Sequence, residues 1–313
     1  MTLEQLRIFA TVAEMLHFTR AAEVLHLSQP AVSAAIAALE AEHGLRLFDR
    51  IGRRVELTAA GQLLHGQARA ILAKVDEAGT MLAELSGLSR GALRLAASQT
   101  VGNHWLPTRL LRFAAAYPGI RVDLSIGNTE QVAEAVRDGR AELGIAEGVV
   151  TDPALVSEPV EGDRLRLVVG GSHPWAGLGR VGRDELAAGR WILREPGSGT
   201  RALFELAVRG VGLDPAGLDV AMTLPGGGMI RAALLAGVGA SVLSDLMLTE
   251  DLAAGRIVAL EGLELPARPF HLVRHRDRYR SIAERAFVRV AVENTPSPAP
   301  GEGGDPRSGE GEG

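Results

Sequence analysis

Residues 58–86 carry apolar side chains alternately four and three positions apart, the spacing of a heptad seam over three repeats. About 29 residues at 1.5 Å each make a helix of roughly 43 Å, which cannot bury such a stripe within itself. We therefore predict that this helix pairs with a second copy of the chain. Packing on the chain's own C-terminal domain is the alternative. The seam consists of Leu64, Ala68, Ile71, Val75, Ala78, Leu82 and Leu85.

This helix separates two unlike parts of the 313-residue chain. Short amphipathic helices and tight turns precede it, whereas strand-like and helix-like segments alternate after it, as in an α/β fold with a largely parallel sheet. The end of the chain is rich in Pro, Gly, Ser and Glu, so we predict that it is disordered. The predicted units are an all-α domain at 1–58, the long linker helix at 59–88, an α/β domain at 91–294 and the tail at 295–313.

The composition excludes several kinds of site. The chain has no cysteine, which excludes disulfides, thiolate metal sites and cysteine nucleophiles. The histidines show no metal-ligand spacing, so we predict neither a metal site nor a cofactor. Because the N-terminus lacks the order of a secretory signal and no apolar run could cross a membrane, we expect a cytoplasmic protein without membrane contact. The net charge of −5 gives no support for DNA binding, which must rest on local features.

Three short helices and a hairpin are predicted in residues 2–57. Thr19 can cap the second helix and Ser28 the third, with Pro30 in the first turn of the third helix, where its missing N–H has no consequence. Gln29 and Ser33 are four residues apart and share the face opposite the apolar positions of that helix. Those apolar positions are Val32, Ile36 and Leu39.

The outer face of the third helix suits the major groove of DNA. Glutamine pairs with an adenine edge, serine with either partner in a base pair, and proline carbons with a thymine methyl. The hairpin turns at Gly52 and forms a wing whose arginines would reach phosphates or the minor groove. A small helical bundle with solvated arginines explains the helix spacing equally well. The candidate DNA contacts are Thr19, Ser28, Gln29, Pro30, Ser33, Arg50, Arg53 and Arg54.

The register of the whole stretch favours the DNA-binding interpretation. The run Phe18–Ser33, followed by Leu39-Glu40, Gly44, Leu47-Phe48, Arg50 and Leu57-Thr58, closely resembles the N-terminal domain of LysR-type transcriptional regulators. The resemblance implies a winged helix-turn-helix that binds an interrupted palindrome as a dimer. It also implies DNA contacts from Gln29, Pro30, Ser33 and the wing arginines. His43 departs from the pattern, which has an aliphatic residue before the glycine.

Small hydroxyl and amide side chains follow the predicted strands of the C-terminal domain. Ligands of open α/β sheets lie beyond the carboxyl ends of strands, and the helix N-termini there favour an anion. The loop after the strand Trp191–Arg194 offers backbone N–H groups, and Arg201 could grip a carboxylate. Its lack of a Gly-Lys-Ser/Thr ending excludes a nucleotide P-loop. The candidate effector contacts are Ser98, Gln99, Thr100, Asn128, Thr129, Glu147, Ser198, Gly199, Thr200 and Arg201.

The C-terminal part resembles the LysR effector domain, which has two periplasmic-binding-protein-like lobes. The strings Ala97–Asn103, Gly127–Thr129, Glu147-Gly148 and Arg194–Arg201 look like those of the carbon-fixation and sulfur-assimilation branch. The resemblance implies effector contacts at Ser98, Gln99, Thr100, Thr129, Thr200 and Arg201, and a linker helix that dimerises. The glycine run at 226–228 departs from the polar residues expected there. The implied lobes are 91–160 with 267–294, and 161–266.

We therefore expect a DNA-binding transcription regulator that senses a small, anionic metabolite and alters promoter binding. Its expected partners are double-stranded DNA with an interrupted palindrome, the effector and one or three further copies of the chain, in a dimer or tetramer. RNA polymerase is a further candidate partner. An enzyme is the second hypothesis, because such two-lobed folds also carry catalysts, but no histidine has an evident nucleophile partner. A solute-binding protein for transport is the third, and the attached DNA domain argues against it.

Overall fold

The computed structural model describes residues 1–52, 54–85, 91–148 and 150–292. Arg53, residues 87–90 of the break predicted at 87–91, and the predicted disordered tail at 295–313 lie outside the described residues. The described chain forms an N-terminal winged helical domain, one long helix and a two-lobed α/β domain, which confirms the predicted fold class.

The N-terminal domain packs three helices and a hairpin around one apolar core. Val32, Ile36 and Leu39 of the third helix are buried in this core, as their spacing predicts. The rings of Phe9 and Phe48, 5.5 Å apart, bring the first helix against the hairpin. The elements are α1 (Leu3–Met15), α2 (Phe18–Leu25), α3 (Gln29–His43), β1 (Phe48–Ile51) and β2 (Arg54–Leu57).

The second and third helices are each capped by the side chain of the residue that precedes them. The Ser28 hydroxyl accepts a hydrogen bond from the Ala31 amide of α3 at 3.4 Å, as predicted. The predicted cap of α2 is wrong. Because α2 begins at Phe18, two residues before the predicted start at Arg20, His17 is its cap, and its Nδ1 accepts from the Arg20 amide at 3.3 Å. Thr19 instead lies exposed in the first turn of α2.

Helix α4 (Ala59–Leu85) is the 27-residue linker. Two seam positions are corrected by the structure: Ala68 is fully buried in the N-terminal core, and Leu64 packs against that core. Both are covered because α1 lies across the first half of α4. Of the described helices, none alone has the length and apolar composition of a membrane span; α2 and α3 meet that test only as a joined, bent pair.

The second half of α4 has one face on its own α/β domain and one face exposed. Glu77 accepts from the Tyr279 amide at 3.0 Å, and Glu84 accepts from the Tyr279 hydroxyl at 2.6 Å. Packing on the chain's own domain, the alternative raised by the sequence, therefore holds for this polar face. The apolar seam lies elsewhere on the helix, and Leu82 and Leu85 remain 67% and 79% exposed. The other exposed seam residues are Ile71, Val75 and Ala78.

The α/β domain contains nine strands in one continuous sheet, in the order β4-β3-β5-β11-β6-β9-β7-β8, with β10 also paired to β6. Its first elements are β3 (Gly91–Ser98), α5 (Leu106–Ala116), β4 (Ile120–Gly127), α6 (Thr129–Arg137), β5 (Leu143–Glu147) and β6 (Leu155–Gly170). Its middle elements are α7 (Arg183–Ala188), β7 (Arg190–Arg194), α8 (Gly199–Gly210), β8 (Asp219–Leu224), α9 (Gly227–Leu235) and β9 (Ala240–Ser244). Its last elements are α10 (Thr249–Ala253), β10 (Ile257–Leu260), β11 (Ala267–His275) and α11 (Ile282–Val292).

Each lobe has apolar cores on both faces of its part of the sheet. In lobe I, α5 and α11 cover one face and α6 covers the other. In lobe II, α8 covers one face and α9 covers the other. Burial on both faces explains why the central strands read as continuous apolar runs. The carboxyl ends of β3, β5 and β7 are thereby left as the places where polar side chains can gather.

Strands β6 and β11 cross between the lobes side by side. Strand β6 passes through residues 160 and 161 without a break, and β11 pairs with it from Ala267 to His275. The register shifts between Arg268 and Phe270, which is a bulge at the crossover. Gly162 is required there, because a Cβ atom on it would lie 1.9 Å from the Arg268 carbonyl oxygen.

Candidate functional site

The outer face of α3 presents a polar pair to solvent. Gln29 is exposed, and its Nε2 donates to the Ser33 hydroxyl at 2.8 Å. This face is opposite the side of α3 that is buried in the N-terminal core. Ser28 and Pro30 are also exposed at the start of the helix, so four of the predicted DNA contacts lie together.

The predicted wing is an antiparallel hairpin. Ile51 pairs with Arg54, and Gly52 occupies the turn with a φ of +65°, a conformation that glycine adopts without strain. Arg54 is exposed on β2. Arg50 lies on β1 opposite Val55, but its side chain is outside the described part of the structure, as is Arg53.

The predicted effector contacts of lobe I gather at the carboxyl ends of its strands. Ser98 and Thr100 are buried. Asn128 caps α6, where its Oδ1 accepts from the Gln131 amide at 3.0 Å. Thr129 donates to the carbonyl oxygen of Glu147 at 2.9 Å, which ties α6 to β5. The side chain of Gln99, also predicted, accepts from Asn103 at 3.3 Å.

Lobe II meets these residues directly. Asn128 donates to the Pro196 carbonyl oxygen at 3.3 Å, and the Glu130 amide donates to the Gly197 carbonyl oxygen at 3.3 Å. Gly199 allows this approach, because a Cβ atom on it would lie 2.3 Å from the Glu147 carbonyl oxygen. Beside the contact lies an open cleft of 830 Å³ between the two lobes. Its lining includes Thr129, Glu147, Ser198, Gly199 and Arg201.

A buried charged group joins the lobes at the crossover. Arg268 donates from Nε and Nη2 to the two carboxylate oxygens of Asp163, at 2.5 and 2.8 Å, and from Nη1 to the Thr200 hydroxyl at 3.0 Å. Glu147 Oε1 lies 4.0 Å from Nη2 of the same guanidinium. These residues are all less than a tenth exposed. We call Glu147, Asp163, Thr200 and Arg268 the interlobe cluster.

Sequence reasoning missed Arg268 and Asp163. They are 105 residues apart, and only the register of β6 and β11 brings them together. One sequence feature could have identified Arg268: it is an arginine at the start of an apolar strand, where a buried charge without a partner is destabilising. Arg201 lines the cleft, and its Nε donates to Glu205 at 2.9 Å and its Nη1 to the Arg194 carbonyl oxygen at 3.0 Å. Its contact with an effector stays a prediction.

Titratable groups around the cluster have shifted pKa values. Burial lowers the pKa of His271, whose Nδ1 has no hydrogen-bond partner among the described residues. Burial raises the pKa of Glu195, but hydrogen bonds from Arg194 and Asn128 outweigh it and lower the net pKa. Within the described residues, no group of three or more His, Asp or Glu side chains could hold a metal ion.

A second charged group connects the three parts of the chain. Arg69 of α4 pairs with Glu14 of α1 at 2.8 Å, and its Nε lies 3.9 Å from Asp138, the residue that ends α6. Arg140 lies 3.6 Å from the same Asp138 carboxylate. Since the other end of α6 carries Asn128, a single helix spans from the lobe contact to the N-terminal domain.

His65 makes this junction sensitive to pH. Burial and the nearby Arg69 lower its pKa below the ordinary 6.5, with Glu14 and Asp138 acting in the opposite direction and Arg140 reinforcing the shift. The unfolded chain therefore takes up this proton first as pH falls, so the stabilisation from neutral His65 is present above about pH 6.5 and lost below it. We expect the melting temperature to fall less between about pH 7.5 and 5.5 in His65→Gln than in the wild type. His43→Gln, at the exposed end of α3, is the control and should retain the wild-type slope.

Two family models match this chain and show which family it belongs to. Residues 3–62 match the model of the bacterial regulatory helix-turn-helix proteins of the LysR family, and residues 86–296 match the LysR substrate binding domain. The chain belongs to the LysR family. It is a LysR-type transcriptional regulator with an effector-binding domain, as the sequence resemblance predicts.

Relatives and solved structures agree with this membership. The chain is 34% identical to the regulator CbbR of Rhodospirillum rubrum, over 93% of this chain and 96% of that relative. It is 34% identical to CysL of Bacillus subtilis over 79% and 82%. These LysR regulators confirm the resemblance to the carbon-fixation and sulfur-assimilation branch, and both are named as regulators rather than enzymes.

Two solved structures are similar to this chain over long stretches. Full-length CbnR complexed with its target DNA has a TM-score of 0.63 at 24% identity, covering 93% of this chain and 99% of that chain, which supports the fold. The regulatory domain of CcmR from Synechocystis PCC6803, in complex with 2-PG, has a TM-score of 0.59 at 27% identity. That match covers 66% of this chain and the whole of CcmR's regulatory domain.

Proposed function

We propose that this LysR regulator binds duplex DNA through the outer face of α3 and changes its promoter binding when a small anionic effector occupies the space between the lobes. The observation that carries the DNA half is the exposed Gln29–Ser33 pair opposite the buried face of α3. A protein of this kind acts in the cytoplasm. RNA polymerase remains a candidate partner.

The outer face of α3 and the wing make different kinds of contact with DNA. Gln29 and Ser33 carry the donors and acceptors that read base edges in the major groove. Arg54 and the other wing arginines neutralise phosphates, which fixes the position of α3 without reading sequence. An interrupted palindrome suits two copies of this domain related by a twofold axis.

Replacing Arg54 by alanine tests the wing. Loss of one phosphate contact should weaken binding to specific and random duplexes alike and reduce the slope of log affinity against log salt by about 1. Fluorescence anisotropy across a salt series measures both quantities. Arg121→Ala, in the α/β domain, removes an arginine that is 75% exposed and should leave the slope unchanged. If Arg54→Ala binds with wild-type affinity at every salt concentration, Arg54 of the wing does not contact the DNA.

The effector half rests on the polar strand ends that face each other across the lobes. Helix α8 begins at this contact without a side-chain cap, and its N-terminus favours an anion. Thr100 and Thr200 add buried hydroxyl groups. The CcmR regulatory domain, which is similar over lobe I and lobe II, is described in complex with 2-PG.

Helix α6 offers a physical connection from the effector to the DNA-binding domain. Its first residues contact lobe II through Asn128, and Asp138 at its other end lies beside the Arg69–Glu14 pair. A change in lobe closure that moves α6 would alter this contact with α1. The effector can shift promoter binding only by as much as its affinities for the two lobe arrangements differ.

Thr100→Val tests the effector half. Valine keeps the shape of the buried side chain and removes its hydroxyl, so the effector response should be lost while DNA affinity stays within about twofold. The probe is whichever compound most raises the wild-type melting temperature in a screen of small anions and phosphorylated sugars. Thr108→Val, on the exposed side of α5, is the control. An unchanged response in Thr100→Val places the effector elsewhere.

A further inference from the structure

The interlobe cluster contains a buried acceptor that the protein does not satisfy. Glu147 is 3% exposed, and its Oε1 has no hydrogen-bond partner among the described residues. The nearest cation, Nη2 of Arg268, is 4.0 Å away, beyond hydrogen-bond distance. Buried polar atoms in native proteins nearly always have partners, and an exception calls for a bound molecule or a functional role.

Arg268, the one cation of the described residues within 4.0 Å of Glu147, is already engaged. Arg268 uses Nε and Nη2 on Asp163 and Nη1 on Thr200. Its positive charge is therefore matched by Asp163, and Glu147 leaves the interlobe cluster with an excess negative charge. Ser98, also fully buried, has a hydroxyl oxygen without a partner in the same described part of the chain.

An acid without a donor is a poor occupant of this site, although the N-terminus of α8 favours its anionic group. Its charge would add to the unmatched Glu147 carboxylate, and repulsion between buried charges is strong where the dielectric constant is low. A donor on the ligand offsets part of this repulsion, since an N–H or O–H group can donate to Glu147 Oε1, and an ammonium group also neutralises the added charge.

We propose that the effector is a small acid bearing a hydrogen-bond donor, a hydroxyl or an ammonium group, which donates to Glu147 while the acidic group lies at the start of α8. This inference rests on the proposed effector site between the lobes. Glu147 is thereby a specificity residue, because it rejects acids of the same length that lack the donor.

Matched acids of one carbon skeleton test the proposal with the full-length protein. Succinate, malate and aspartate differ only by hydrogen, hydroxyl or ammonium at one carbon, and propionate, lactate and alanine form a shorter series. Melting temperatures and calorimetric titrations should show that a donor-bearing member binds about 10- to 100-fold more tightly than its donor-free parent. Comparing the affinity of malate with that of aspartate, and of lactate with that of alanine, shows whether the site prefers a hydroxyl or an ammonium group.

Glu147→Met removes the acceptor and keeps the length of the side chain. This variant should abolish the preference for donor-bearing acids, because the donor-free acid should bind more tightly than it does to the wild type. Glu147→Gln retains an acceptor without charge and should reduce the same preference. Because the wild-type carboxylate is unsatisfied, the free variants should melt no lower than the wild type. Glu147→Gln keeps the test valid if the methionine variant fails to fold.

The outcomes separate the two claims. Equal binding of parent and donor-bearing acids, or a preference unchanged in both Glu147 variants, overturns the donor requirement and leaves the effector site intact. A different result would be that none of the six acids shifts the melting temperature of the wild type or of Glu147→Met. In that case both the proposal of an anionic effector and the donor requirement fail.

Discussion

Arg268→Met is expected to reduce the free energy of unfolding by about 3–5 kcal/mol, because it leaves a buried carboxylate without its partner. Asp163 is buried and receives two hydrogen bonds from this guanidinium, and Thr200 accepts a third. Methionine fills part of the space but offers no donor to either residue. Urea unfolding followed by tryptophan fluorescence measures the effect in the correct domain, since Trp105, Trp175 and Trp191 all lie in the α/β domain.

The double variant Asp163→Leu with Arg268→Met separates the charge from the packing. Replacing both members of a buried pair by apolar residues is often neutral or stabilising, so the double variant should recover most of the loss. Arg121→Met removes one partner of an exposed pair with Asp123, at 2.8 Å, and should change stability by less than about 1 kcal/mol. A loss in Arg268→Met no larger than that of Arg121→Met would show that the interlobe pair does not hold the lobes together.

We propose that two chains pair through the apolar seam of α4, and Leu82→Asp is expected to separate that pair. Leu82 is 67% exposed on the apolar seam of α4 and has no cover in a lone chain. In a twofold dimer each substitution acts twice, and two lost leucine contacts of about 1.5–3 kcal/mol each weaken association by about 10²- to 10⁴-fold. Sedimentation at several protein concentrations measures this change.

DNA binding should follow the loss of the dimer. Two linked DNA-binding domains gain about 10²- to 10⁴-fold from simultaneous contact with two half-sites, so Leu82→Asp should lose a similar factor on the palindrome and little on one half-site. Gln62→Glu places a negative charge on the opposite, exposed side of α4 and should remain dimeric. If Leu82→Asp sediments as the wild type does, the seam is not the dimer interface.

The N-terminal domain could be predicted closely because its signals are local. Helix spacing, the Ser28 cap and Gly52 in the hairpin turn depend on residues near one another in sequence. The error at Thr19 arose because His17, an unusual capping residue, supplies the acceptor two residues earlier than expected. Domain membership of Leu64 and Ala68 could not be predicted, since a heptad pattern does not say which neighbour covers each part of the stripe.

The effector region was predicted only as a set of strand ends. The polar residues at those ends do gather, because carboxyl ends of neighbouring parallel strands meet at one edge of a sheet. The Arg268–Asp163 pair depends on the register of two antiparallel strands far apart in sequence, and no local pattern encodes that register. The same limitation applies to the hydrogen bonds of Arg201 with Glu205 and Arg194, which depend on packing within lobe II.

The absence of cysteine permits a direct test of how α3 meets DNA. Ala37 is exposed on α3 and lies four residues beyond Ser33 on the same face, so Ala37→Cys offers a single attachment point for an iron chelate that cleaves nearby DNA. Ala187→Cys, exposed on α7 of lobe II, is the matched control.

If α3 lies in the major groove, the Ala37→Cys conjugate cleaves the target duplex at two positions about one helical turn or a multiple of it apart, one in each half-site, and the Ala187→Cys conjugate does not. Cleavage without positional preference, or none from a conjugate that still binds the duplex, would contradict the placement of the Gln29–Ser33 face against the bases.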